Sequence, residues 1–113
     1  MYKLFGIPNC STVKNARTYL EKNGAPVNFI DFKKNPPQEA DIKRWIEAFG
    51  GMPVNTKGVT YKKYKDTFEA LSLKEQILFL KEHTSMIKRP VLEREGQVLA
   101  FGFDEESYKS LIS

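Results

Sequence analysis

Cys10 is the only cysteine among the 113 residues, and it stands where an apolar run, Lys3-Leu4-Phe5-Gly6-Ile7, gives way to a helix-like segment beginning Ser11-Thr12-Val13-Lys14. A thiol at a strand-to-helix turn faces the positive end of the helix dipole. That position favours thiolate over thiol and makes the sulfur a better nucleophile. The bland alternative is a free cysteine serving as a small buried hydrophobe. One thiol cannot close an intramolecular disulfide, so any redox cycle through Cys10 must take its second thiol from another molecule.

The remaining candidates for chemistry are cations. Lys57, Lys62, Lys63 and Lys65 gather in the middle of the chain, while Lys88 and Arg89 stand directly before Pro90. Eighteen Lys and Arg against 14 Asp and Glu give a net charge of +4, which either draws anions or keeps the protein in solution. The Lys62 to Lys65 cluster reads as a solvated face. His83, the sole histidine, falls near a predicted helix C-terminus, where a cationic ring is favoured without any catalytic role. Trp45, Tyr61 and Tyr64 read as core or groove residues. Metal-ligand spacing, a Gly-rich phosphate loop and a dinucleotide fingerprint are all missing from the sequence, and no basic recognition helix stands out. The expectation is therefore no metal, no bound cofactor and no direct nucleic acid binding.

The elements that must position these residues follow from pattern. Residues 3 to 7 read as a strand closed by Pro8-Asn9, and Val13, Ala16 and Leu20 recur at helical spacing until Asn23-Gly24. Val27, Phe29, Ile30 and Phe32 form a second strand, free to lie parallel to the first because a whole helix separates them. After the break at Lys33 to Pro37, a helix carries Ile42, Trp45, Ile46 and Phe49 and ends at Gly50-Gly51. A second break surrounds Pro53 and Gly58. The stretch from Thr67 to His83 is again apolar at helical spacing, with Ser72 as N-cap and Glu75 in the first turn. Val91-Leu92 and Val98 to Phe101 flank Glu95-Gly96 as a hairpin. Asp104 then caps a last helix stapled by Phe103 and Tyr108.

With 41% hydrophobic and 28% charged residues, the composition is that of a soluble globular protein. No apolar run approaches a membrane span, and no secretory signal precedes the first strand. The length suits one domain, residues 1–113, with a helical insertion at approximately 36–85. A lone cysteine agrees with a reducing compartment, so a cytoplasmic location is expected.

Three segments together carry a family resemblance: Ile7-Pro8-Asn9-Cys10 followed by Thr12-Val13-Lys14, Asn55-Thr56-Lys57-Gly58 with Tyr61, and Ile87-Lys88-Arg89-Pro90-Val91-Leu92. In these the chain resembles the arsenate reductase (ArsC), Spx and YffB-like family, and the likeness spans its whole length. The resemblance implies an α/β, thioredoxin-like fold, β-α-β, helical insertion and β-β-α, around a four-stranded mixed sheet. In such folds the proline before the third strand is cis, an isomer that X-Pro bonds accommodate. Pro90 matches it. That proline lies against the active-site thiol, which would bring Arg89 near Cys10, where a guanidinium can grip an oxyanion with two hydrogen bonds and stabilise a thiolate.

What the resemblance implies for activity divides by branch. In arsenate reductases a cysteine attacks the oxyanion, arginines bind it, and glutathione with glutaredoxin completes the reduction. Cys10 matches the nucleophile and Arg89 the late arginine. Lys57 stands where the middle motif usually carries arginine, keeping the charge without the fork. It reads equally as an anion ligand and as a solvated side chain. Asn9, Ser11, Thr12 and Pro90 support the thiol, with Ser11 and Thr12 expected to cap the helix. Spx-like members bind the C-terminal domain of the α subunit of RNA polymerase, commonly under a Cys-x-x-Cys switch. Here the second position of that switch is Val13. The single-cysteine YffB-like branch resembles glutathione-dependent thiol reductases and fits these residues best.

Overall fold

The computed structural model describes residues 1–112. They divide into two compact units, one comprising Met1–Asn35 with the chain from Arg89 onward, the other Pro36–Lys88.

The first unit holds the sheet. Strands β1 (Tyr2–Gly6), β2 (Val27–Asp31), β3 (Val91–Arg94) and β4 (Gln97–Phe101) pair in the order β2-β1-β3-β4. β1 runs parallel to β2, with Leu4 opposite Phe29, and antiparallel to β3, with Leu4 opposite Leu92. The intervening helix α1 (Ser11–Lys22) is what makes the parallel pairing reachable. Its Val13, Ala16 and Leu20 are buried. Ala16 and Leu20 meet Tyr2, Leu4 and Leu92 from the sheet and Tyr108 from the last helix in one core. α1 stops where the Asn23 side-chain amide donates to the Tyr19 carbonyl at 2.8 Å and Gly24 turns left-handed at φ 70°.

Between β3 and β4 the hairpin turns on Glu95 and Gly96, both at positive φ (53° and 79°). That is the handedness a two-residue hairpin loop requires. The last helix (Glu105–Ile112) is capped as expected: the Asp104 carboxylate accepts from the Ser107 N–H at 3.2 Å and its hydroxyl at 2.7 Å. The Phe103 and Tyr108 rings meet edge to face, 4.9 Å apart.

The second unit is helical. α2 (Glu39–Phe49) buries Ile42 and Trp45 and ends on left-handed Gly50. α3 (Val59–Glu69) and α4 (Leu73–Glu82) follow, then a short 3₁₀ turn (Thr84–Met86), which makes Glu105–Ile112 helix α5. Ser72 caps α4 in a reciprocal box with Glu75. α3 is the element that the sequence pattern did not resolve. Its Tyr61, Tyr64 and Phe68 lie at helical spacing, but the run Lys62, Lys63 and Lys65 masks the period. Phe68 therefore belongs to α3, and the apolar stretch from Thr67 to His83 is two helices broken at Ala70 to Ser72. His83 terminates α4 with its ring 4.2 Å from Phe79 and 4.9 Å from Tyr64.

Candidate functional site

Ile7, Pro8, Asn9 and Cys10 form the turn that leaves β1, closed by the Cys10 N–H donating to the Ile7 carbonyl at 3.3 Å. Proline at the second position pre-sets the turn and asparagine suits the third. This bond takes Ile7 out of the strand, so β1 ends one residue earlier than the apolar run suggests. The chain enters α1 at once, and the Lys14 N–H donates to the Cys10 carbonyl at 3.0 Å as the first helical bond.

Cys10 is thus itself the N-cap residue, with extended backbone angles (φ −93°, ψ 124°). Ser11 and Thr12 do not fill that position, contrary to expectation. Ser11 is already the first helical residue, and a cap must come from the half-extended residue before it. No oxygen-bearing cap competes for the first amides of the helix, and the sulfur faces them instead.

The half-buried thiol feels opposed forces. Burial pushes its pKa up. The backbone N–H groups of Val13 and Thr12 pull it down by hydrogen bonding to the sulfur, and the Arg89 guanidinium adds a hydrogen bond and its charge in the same direction. The balance lies below the ordinary thiol value, in favour of thiolate. Arg89 arrives from the far end of the chain. The Arg89–Pro90 peptide is cis, β3 begins at the next residue, and the Pro90 carbonyl accepts from the Gly102 N–H at 2.8 Å. Pairing of Val91 with Phe5 sets this entry to β3 beside the end of β1.

Of the residues singled out from sequence, the first unit therefore brings together Cys10, Thr12 and Arg89, and Pro90, buried, follows Arg89 at the entry to β3. Asn9 and Ser11 are exposed beside the thiol. Lys57 belongs to the second unit, exposed in a turn that its own neighbours define. The Asn55 side-chain oxygen accepts from the Lys57 N–H at 3.3 Å, and the Gly58 N–H closes on the Asn55 carbonyl at 3.0 Å. The segment before the turn is held by Asn55 N–H to Met86 carbonyl and Lys88 N–H to Pro53 carbonyl bonds, each 2.8 Å. Sequence reasoning missed Val13 as a participant because its contribution is a backbone amide. Its place three residues after Cys10 was the available signal.

Comparison with known proteins bears on the whole chain. The ArsC family model matches residues 5–111. Among curated proteins, the uncharacterized protein YusI of Bacillus subtilis is 30% identical over 107 residues, 90% of each chain. The global transcriptional regulator Spx of the same organism is 23% identical, aligned over 99% of this chain and 87% of its own. Among solved structures, a "possible arsenate reductase" from Streptococcus mutans superposes at TM-score 0.82 with 33% identity, covering 100% of this chain and 98% of that one. A YffB protein superposes at 0.86 with 31% identity over the full length of both.

Proposed function

Because the chain belongs to the ArsC family, we propose that it is a thiol-dependent oxidoreductase in which the Cys10 thiolate is the nucleophile and glutathione or a related small thiol the co-substrate. The observation that supports this reading is a single thiol held below its ordinary pKa by two helix amides beside a guanidinium. The Cys10 thiolate attacks one sulfur of a disulfide and displaces the other as thiolate, which takes a proton from water. A second thiolate then attacks the mixed disulfide and restores Cys10, so the pair of electrons comes from the external thiol. Arg89 holds the negative charge of the incoming anionic substrate. Lys57 is a second cation for that charge, a role carried over from the family's middle motif. An arsenate-like oxyanion is the other substrate class the same nucleophile and cations suit, with glutaredoxin as partner in resolving the intermediate. The lysine at position 57 weakens two-pronged oxyanion binding and favours the thiol substrate.

Exposure to oxidised glutathione should give one adduct, on Cys10, by mass spectrometry, and Cys10→Ser should abolish both the adduct and all thiol-dependent turnover. Arg89→Ala and Lys57→Ala should weaken turnover while leaving the protein folded. Undiminished turnover in Cys10→Ser would sink this mechanism.

The similarity to Spx over nearly the whole chain favours a second reading, a transcription-associated module that docks on the C-terminal domain of the α subunit of RNA polymerase. The second cysteine of a Cys-x-x-Cys switch is replaced by Val13, so such a contact would not be governed by a disulfide within this chain. Capture of the isolated α domain by both wild type and Cys10→Ser supports that reading. Capture by neither removes it.

A further inference from the structure

Gly6, the last residue of β1, is buried, although its backbone needs no glycine-specific angle. The reason for glycine is space. A Cβ at this position would lie 2.8 Å from Val13 Cγ2 and 3.2 Å from Val13 Cγ1. Carbon atoms in favourable contact lie about 3.5 to 4.0 Å apart. Val13 cannot swing aside: it is 1% exposed, and a β-branched side chain in a helix has essentially one good χ1 rotamer. Gly6 is equally fixed, since its carbonyl accepts from the Phe32 N–H at 2.8 Å and it pairs with Asp31 in β2. A methyl group here must therefore push the first turn of α1 away from the end of β1.

We infer that Gly6 is a positioning residue for the thiol: the missing Cβ lets Val13 seat directly on β1, and this contact holds the Val13 and Thr12 amides against the sulfur of Cys10. The inference rests on the thiolate reading above and explains what keeps that thiolate in place. Arg89 comes to the sulfur from the entry to β3, on another strand, so a shift of α1 separates the two amides from Cys10's other partner without moving Arg89 itself.

The test is the pH dependence of Cys10 alkylation by iodoacetamide, read alongside circular dichroism. Gly6→Ala should raise the midpoint above the wild-type value, toward that of an unperturbed thiol. Adding Val13→Ala to that variant removes the colliding methyls and keeps the backbone amide, so the midpoint should return to near the wild-type value. A merely structural role for Gly6 would change stability and leave the midpoint of the folded protein where it was. A low wild-type midpoint that Gly6→Ala does not raise, or that Val13→Ala does not restore, overturns the inference. An ordinary midpoint in the wild type itself overturns instead the thiolate reading beneath it. Should Gly6→Ala not fold, Val13→Ile crowds the same contact more gently. It should raise the midpoint by a smaller step, and an unchanged midpoint in that folded variant overturns the inference as well.

Discussion

Cys10 owes its character to being the last non-helical residue before α1. Burial opposes ionisation, while the Val13 and Thr12 amides, followed by Arg89, outweigh it. Because Arg89 supplies both a hydrogen bond and a charge to the sulfur, Arg89→Ala should raise the alkylation midpoint, and Arg89→Lys should raise it less. The same balance ties stability to pH. A thiol whose pKa is lower in the folded state adds stability that is fully present above the unfolded value, about 8.5, and lost as pH falls through the folded value. Wild type should therefore gain stability over Cys10→Ala as pH rises toward 9, and the gain should fade in acid. Thermal melts across that range check the sign, and a gap that widens in acid would contradict it. Arg89 shows how resemblance and structure divide the work: its motif before Pro90 and its nearness to Cys10 were legible from the family resemblance, and the physical cause of that nearness is β1 and β3 pairing side by side.

At the scale of elements, caps and turns were the most legible features because their chemistry is local. Ser72 and Glu75 form the expected box, and the Ser72 amide and hydroxyl hold the Glu75 carboxyl below its usual pKa. Ser72→Ala should cost about 1 kcal/mol by urea denaturation, with little change in the thiol chemistry. The hairpin carries an avoidable strain at Glu95, the non-glycine residue at positive φ among the described residues. Glu95→Asn, which tolerates that region, should stabilise the protein by roughly 0.5 to 1 kcal/mol in the same assay. α3 was not legible, since its apolar positions are few and aromatic and its lysines interrupt the period. What sets it apart is structural: Gly58 begins it after the Asn55 turn, and Tyr64 packs on Phe79 of α4 at 5.4 Å.

For the whole molecule, the core of the first unit gathers Leu4, Ala16, Leu20, Leu92 and Tyr108 from β1, α1, β3 and α5. Leu92 is fully buried, so Leu92→Ala should cost about 3 kcal/mol and lower Tm by roughly 10 °C or more. The alkylation midpoint of the folded variant should not move, which separates loss of fold from loss of chemistry. Among the described residues no helix is long and apolar enough to cross a membrane. The sequence by itself determined the succession of strands and of the helices other than α3, the turn that delivers Cys10, the capping of α4 and α5 and the family, because each is written in neighbouring residues or in short motifs. Only the tertiary structure decided that Cys10 occupies the N-cap position of α1, that Val13 contributes an amide rather than a side chain, and that Gly6 must lack a Cβ. Those facts arise where two elements meet, and the few tenths of an ångström that settle such a meeting are fixed by packing across the fold.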